Sequence, residues 1–205
     1  MVERYERTTR GFTALEVETH CRVPQATQRD WRRRGFLGSA EQGKRYTFSL
    51  TEVCILAMVK ALTDAGFPAG RAFNLAKFMA LGAIDWIEIC QIGVSIEGLE
   101  LDPDEKRTRI LNLKDLDENG FYEGGGVPSS IVFFPTSHEF ENPVSTSSET
   151  RASAYSFASL SDLEMNGPKN WFAGIIFDLR GFALGLSLQV GEPLITYRYL
   201  GGDPK

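Results

Sequence analysis

Residues 12–37 read FTALEVETHCRVPQATQRDWRRRGFL, and the breaks inside this stretch decide how the chain is organised. Thr13 and Glu16 stand at the spacing where a hydroxyl and a carboxylate reciprocally satisfy the free amides of a helix's first turn, so a helix is predicted from Ala14. Glu18 and Arg22 lie four apart with the acid first, the better orientation for a surface pair. Val23-Pro24 then forces a break, because the residue before proline avoids the helical region while proline suits the start of a new helix. The second helix is predicted over Pro24 to Arg33. On it Gln25, Gln28, Arg29 and Arg32 fall at i, i+3, i+4 and i+7, one stripe, with Thr27, Trp31 and Arg34 on the opposite side. Trp31 reads as the anchor and the stripe as an outward face. Glutamine pairs with adenine and arginine with guanine in the major groove, and either can hold a phosphate. The competing reading is an ordinary solvated helix.

The residues that follow favour the first reading. Phe36-Leu37 is apolar, Gly38 to Gly43 (GSAEQG) is turn-rich, and Lys44-Arg45-Tyr46-Thr47-Phe48 alternates basic or polar with aromatic, the pattern of a β-hairpin with a basic return strand. Ser49-Leu50-Thr51-Glu52 repeats the capping box ahead of a helix carrying Val53, Leu56, Val59 and Leu62, with Gly66 as its stop. Phe67-Pro68 opens another, with Ala72, Phe73, Ala76 and Met79 at helical spacing up to Gly82. The predicted order is helix, turn, helix, hairpin, helix, helix.

Residues 12 to about 80 resemble the N-terminal DNA-binding domain of the MerR family of transcription regulators, a winged helix-turn-helix. The resemblance rests on Phe12-Thr13, Glu16 and Val23, on Thr27-Gln28-Arg29-Asp30-Trp31 where the family has Thr, Leu, Arg and two aromatics, and on Gly35-Phe36-Leu37. It continues in Gly43-Lys44-Arg45-Tyr46 at the family's wing and Asp64-Ala65-Gly66-Phe67 at the end of the third helix. It implies that Arg29 and Arg45 hold phosphate from the recognition helix and the wing. The candidate DNA contacts are Gln25, Thr27, Gln28, Arg29, Arg32, Arg33, Lys44, Arg45 and Tyr46. Three positions depart from the pattern: Arg22 stands where the family has a turn glycine, Gln28 replaces a leucine, and Asp30 replaces the first aromatic. Beyond residue 80 the family's effector-responsive members continue into a long dimerisation helix, whereas here Gly82, Gly93, Gly98 and Pro103 interrupt any sustained heptad.

The whole chain has 205 residues, 42% hydrophobic and 24% charged, an ordinary globular composition with a net charge of -5 that by itself argues against nucleic acid. Division of the chain reverses that conclusion. Residues 1–80 hold 13 Lys and Arg against 8 Asp and Glu, a net +5, and residues 81–205 hold 9 against 19, a net -10. A basic head on an acidic body suits a molecule that meets phosphate at one end. The three cysteines, Cys21, Cys54 and Cys90, are widely spaced and match no metal-site pattern, so no metal or other cofactor is expected, and free thiols suit a reducing cytoplasm. The charged N-terminus and the lack of a long apolar run predict a cytoplasmic protein without a membrane span.

The predicted fold class is α+β: a basic arm over residues 1–11, a winged helix-turn-helix over 12–82, and an acidic α+β domain over 83–205. In the latter, a helix through Trp86 and Ile89 to Cys90 is as defensible as a strand, while Ile92, Val94 and Ile96 alternate as a strand. Arg109 to Leu113 reads as a short strand, Ile131 to Phe134 as a strand ended by Pro135, and Thr136 to Thr150 as a polar loop. Ser159 to Met165 reads as a capped helix, Trp171 to Leu179 as a buried strand, Arg180 to Val190 as a helix, and Leu194 to Leu200 as an aromatic alternation. The cluster His138-Glu139-Phe140-Glu141 and the triplet Gly124-Gly125-Gly126 lack the companions that catalysis or phosphate cradling needs, so no catalytic site is assigned.

The function expected from these readings is a transcription regulator of the bacterial or phage kind. It would bind double-stranded DNA as a homodimer on an inverted repeat and act as a repressor, with the C-terminal domain for dimerisation, for a small-molecule or protein effector, or for both. Two alternatives from other classes stand beside it: an excisionase-like architectural protein that bends DNA, and a nucleic-acid enzyme with its site in the C-terminal part.

Overall fold

A computed structural model describes residues 4–38, 46–116, 131–135, 155–157, 161 and 174–201. The chain is mixed α and β, as predicted. Helix α1 (Ala14–Cys21) begins where the first capping box places it: Glu16 N–H donates to Thr13 Oγ1 (3.3 Å) and Thr13 N–H donates to Glu16 Oε2 (2.8 Å). Helix α2 (Gln25–Arg33) follows Pro24. Helix α3 (Leu50–Asp64) starts on the second box, Ser49 with Glu52. Eight of its residues are buried, the burial expected of a helix surrounded by others. Gly66, at φ +94°, turns the chain out of α3 in a conformation costly for any residue with a β-carbon.

Helix α4 (Ala69–Cys90) then runs 22 residues, well past the stop expected at Gly82. Glycine lies here inside the helix, because a β-carbon would sit 3.2 Å from Leu179 Cδ1 of a neighbouring helix, so it permits close approach and does not end the element. The end comes at Gln91, in the left-handed region at φ 61°. The N-terminal half of α4 buries Ala72, Phe73, Ala76 and Met79, and the C-terminal half buries Ala83, Trp86, Ile87 and Glu88. At about 1.5 Å per residue the helix is roughly 33 Å long. One hydrophobic core runs continuously from Phe12 to Tyr197. The domain boundary expected at residue 82 therefore falls within a shared helix and a shared core.

Strand β1 (Arg4–Thr9) replaces the expected basic arm. It pairs antiparallel with β6 (Ile195–Gly201), whose other edge pairs in parallel with β2 (Val94–Glu97), giving the order β1-β6-β2. Its charge alternation is compatible with an edge strand, but its partner lies at the other end of the chain. The strand is fastened by Arg7, whose Nε donates to Glu88 Oε1 (2.8 Å), while the Tyr197 hydroxyl donates to the same oxygen (2.9 Å). Glu88 is only 4% exposed, so this carboxylate depends on both donors.

Helix α5 (Pro103–Leu116) covers Arg109 to Leu113, the stretch read as a short strand. Asp102 Oδ1 accepts from the amides of Asp104 and Glu105, a helix-start signal that outweighs the alternation of Arg109 to Leu113. A second sheet has the order β4-β3-β5, all antiparallel, from Tyr155–Phe157, Ile131–Pro135 and Gly174–Asp178. β5 leads directly into α6 (Leu179–Val190), capped by Asp178 through the Gly181 amide at 2.9 Å. Helix α6 packs against both α4 and α1. The loop predicted over 136–150, most of the helix over 159–165 and the His138 cluster lie outside the described residues. Among the described residues no helix is long and apolar enough to cross a membrane.

Candidate nucleic-acid interface

The turn between α1 and α2 is set by Arg22, at φ 55° and ψ 30°, followed by the fully buried Val23. Helix α2 is anchored by Trp31, 7% exposed and edge-on to Phe73 of α4 at 5.0 Å between ring centroids. Phe36, just beyond α2, stacks on Phe73 at 4.6 Å between centroids. These contacts fix how α2 is rotated about its axis.

The rotation differs from the sequence expectation at one decisive residue. Gln28 is 2% exposed, and its Nε2 donates to the Ala14 carbonyl (2.9 Å) and the Val23 carbonyl (2.8 Å). It is therefore a link between α1, the turn and α2, and it is not available to a base. The family's leucine at this position is the signal that the side chain points inward; the polar side chain keeps the inward direction and satisfies its Nε2 on backbone oxygens, while its Oε1 is buried without a hydrogen-bond partner among the described residues.

Arg32 also departs from the outward stripe. Its guanidinium lies over the Tyr46 ring at 3.9 Å and within 5.4 Å of the Phe48 ring centroid, with Nε buried and unbonded among the described residues. Stacking of this kind suits the planar, weakly hydrated guanidinium. The Tyr46 hydroxyl donates to Glu52, the same carboxylate that caps α3. Burial, and then this bond to Glu52, raise the Tyr46 pKa to about 12. Arg32 and Tyr46 thus join α2, the segment leading to Phe48 and α3. Phe48 completes the junction by pairing with Phe12 through two backbone hydrogen bonds (2.9 and 2.7 Å).

The residues of α2 that do face solvent are Ala26, Arg29 and Arg33, at i, i+3 and i+7, flanked by the half-buried Gln25 and Thr27. Gln25 Nε2 donates to Glu18 Oε2 (2.8 Å), so Glu18 pairs with glutamine and not with Arg22. Arg29 makes no hydrogen bond or ion pair with any described residue. Arg33, 80% exposed, meets Asp30 at 2.5 Å, and Arg34 meets the other oxygen of Asp30 at 2.8 Å. Exposed pairs of this kind are weak and screened, so Arg33 can exchange Asp30 for another anion. Lys44 and Arg45 lie outside the described residues.

Cys21 and Cys54 are buried, and burial pushes the Cys21 thiol up to about 12 and the Cys54 thiol higher still. Among the described residues no group of three or more His, Cys, Asp or Glu side chains could hold a metal ion.

A capped helix, a tight left-handed turn and a second helix with an arginine-bearing open side define a helix-turn-helix DNA-binding module. Residues 12–76 match the family model of the MerR HTH family regulatory protein, and this segment is a MerR-like DNA-binding domain within a DNA-binding transcription regulator. The match ends within α4, leaving the second half of that helix and everything after it unrecognised. No curated protein matches the chain.

Proposed function

We propose that the protein is a sequence-specific repressor that binds an inverted repeat as a homodimer, with Gln25, Ala26, Arg29 and Arg33 of α2 facing the major groove. The observation that carries this reading is the open side of α2: Arg29 free of partners among the described residues and Arg33 held only by an exposed ion pair with Asp30. An arginine on such a face supplies a bidentate donor to guanine or a clamp on phosphate, and Ala26 offers a methyl to a thymine. Thr27 is half-buried beside this face. Lys44 and Arg45 enter the proposal on sequence grounds alone, as phosphate contacts from the hairpin that the sequence predicts.

The contribution of the C-terminal body is dimerisation or effector response. Its coupling to the DNA-binding half is direct, since α4 is common to both and α6 packs on α1. A ligand or partner that shifts α6 or β6 would therefore bear on the helix-turn-helix without an intervening linker.

The test is selection of bound sites from a random duplex library, followed by titration of the recovered site against mixed sequence. Recovery of a two-fold symmetric site with an affinity ratio of about a thousand or more supports the proposal. A ratio near unity with strong bending of every duplex would favour the architectural alternative.

A further inference from the structure

We infer that Arg22, in the turn ahead of the recognition helix, is a DNA-backbone contact in its own right, an inference that rests on α2 being the element facing the duplex. The residue ends α1 in the left-handed region, at φ 55° and ψ 30°. That conformation is adopted freely by glycine and at a steric cost by a residue with a β-carbon. Helices often close on glycine at this place because the requirement is conformational. A long cation there needs another reason.

Its surroundings supply no structural reason. Arg22 is exposed and makes no hydrogen bond or ion pair with any described residue. The acid one helical turn before it, Glu18, is engaged by Gln25 at 2.8 Å. The turn itself is firmly held, since Cys21 and Val23 on either side are 6% and 0% exposed and the Val23 carbonyl accepts from Gln28. Arg22 is thus a cation without a partner among the described residues, projecting from a fixed backbone just ahead of the helix that carries Arg29 and Arg33. A phosphate oxygen of the strand bordering the groove is the ligand that fits: it needs charge and reach, and it reads no base. The β-carbon and its strain are then retained at a functional position.

The experiment uses the full chain and a mixed-sequence duplex, with binding followed by fluorescence anisotropy over a range of salt concentrations and melting followed in parallel. Arg22→Gly removes both the charge and the strain, Arg22→Asn removes the charge but tolerates the left-handed backbone, and Arg22→Lys keeps the charge. The glycine variant is expected to melt at or above the parent while its slope of log affinity against log salt falls by about 0.9, the value for one phosphate no longer neutralised. Affinity at about 100 mM salt should fall about fivefold. The asparagine variant should bind like the glycine variant, and the lysine variant should restore the parental slope. An unchanged slope in both uncharged variants, with Arg29→Ala still weakening binding, overturns the role of Arg22 alone. Unchanged binding in Arg29→Ala as well overturns the placement of α2 on which it rests.

Discussion

Gln28 gives the sharpest consequence of the structure, because its amide is a tie inside the protein while the sequence pattern puts it on the DNA-facing stripe. Its two hydrogen bonds, to the carbonyls of Ala14 and Val23, hold α1, the turn and α2 together from a site 2% exposed. Each such bond contributes about 1 kcal/mol net. Gln28→Ala removes both and leaves space behind, partly offset by removal of the buried, unbonded Oε1, so a net loss of about 2–3 kcal/mol is expected. For a chain of this size that lowers the melting temperature by roughly 4–12 °C. Gln28→Leu fills the space with apolar volume and should recover most of the loss. Thermal melts of the three proteins give the stability order parent, leucine, alanine, with parent and leucine close. A site-selection experiment on the leucine variant should return the parental sequence preference. The structural role of Gln28 is refuted if Gln28→Ala melts with the parent while the preference changes at a single base pair, since that is the behaviour of a reader.

Several other outcomes follow. Removing residues 1–9 takes away β1 and one donor to the buried Glu88. Because the Arg7 side chain is itself 39% exposed, the cost is set below that of a fully buried pair, at about 2 kcal/mol or more, measured by denaturant unfolding, where loss of a loose arm would cost nothing. Asp30→Asn frees Arg33 and Arg34 and removes a negative charge from α2, so duplex affinity should rise several-fold at low salt, an effect that fades as salt is added. Glu16 has its pKa lowered, chiefly by the Thr13 amide, then by the Thr13 hydroxyl and Arg10 against the opposing effect of burial. Its contribution to stability is complete above the ordinary glutamate pKa of about 4.3 and is lost as pH falls through the lower folded value; Glu16→Gln should flatten that part of the acid unfolding curve. In the folded protein a thiol reagent near neutral pH should reach Cys90 first, with Cys21 and Cys54 modified only on unfolding.

Features fixed by neighbouring residues are legible in the sequence. Both capping boxes, the Pro24 break and the Gly66 exit are local, and each stands where the residues place it. Features fixed by distant partners are not. Arg4–Thr9 becomes a strand only because Ile195–Gly201 lies beside it, and its charged alternation carries no sign of that partner. Gly82 reads as a stop until Leu179 is seen against it. Arg109 to Leu113, inside helix Pro103–Leu116, reads as a strand only when the alternation of five residues is weighed above the Asp102 cap and the proline that follows it. In the candidate site the register of α2 is legible, but its rotation differs by about one position: Gln28 and Arg32 turn toward the protein, while Ala26, Arg29 and Arg33 face out. A polar residue type suggests an exposed one, and buried backbone carbonyls that accept from a glutamine cannot be seen in a one-dimensional pattern.

Whether the Arg29 and Arg33 side of α2 meets the duplex decides the central claim. The direct measurement is the salt dependence of duplex binding by the Arg29→Ala, Arg33→Ala double variant, with its melting temperature taken alongside. The expected result is a parental melting temperature and a slope lower by about 1.8, as for two cations that no longer neutralise phosphate. A parental slope and affinity in the correctly folded double variant would contradict the claim, because the duplex would then lie against some other face.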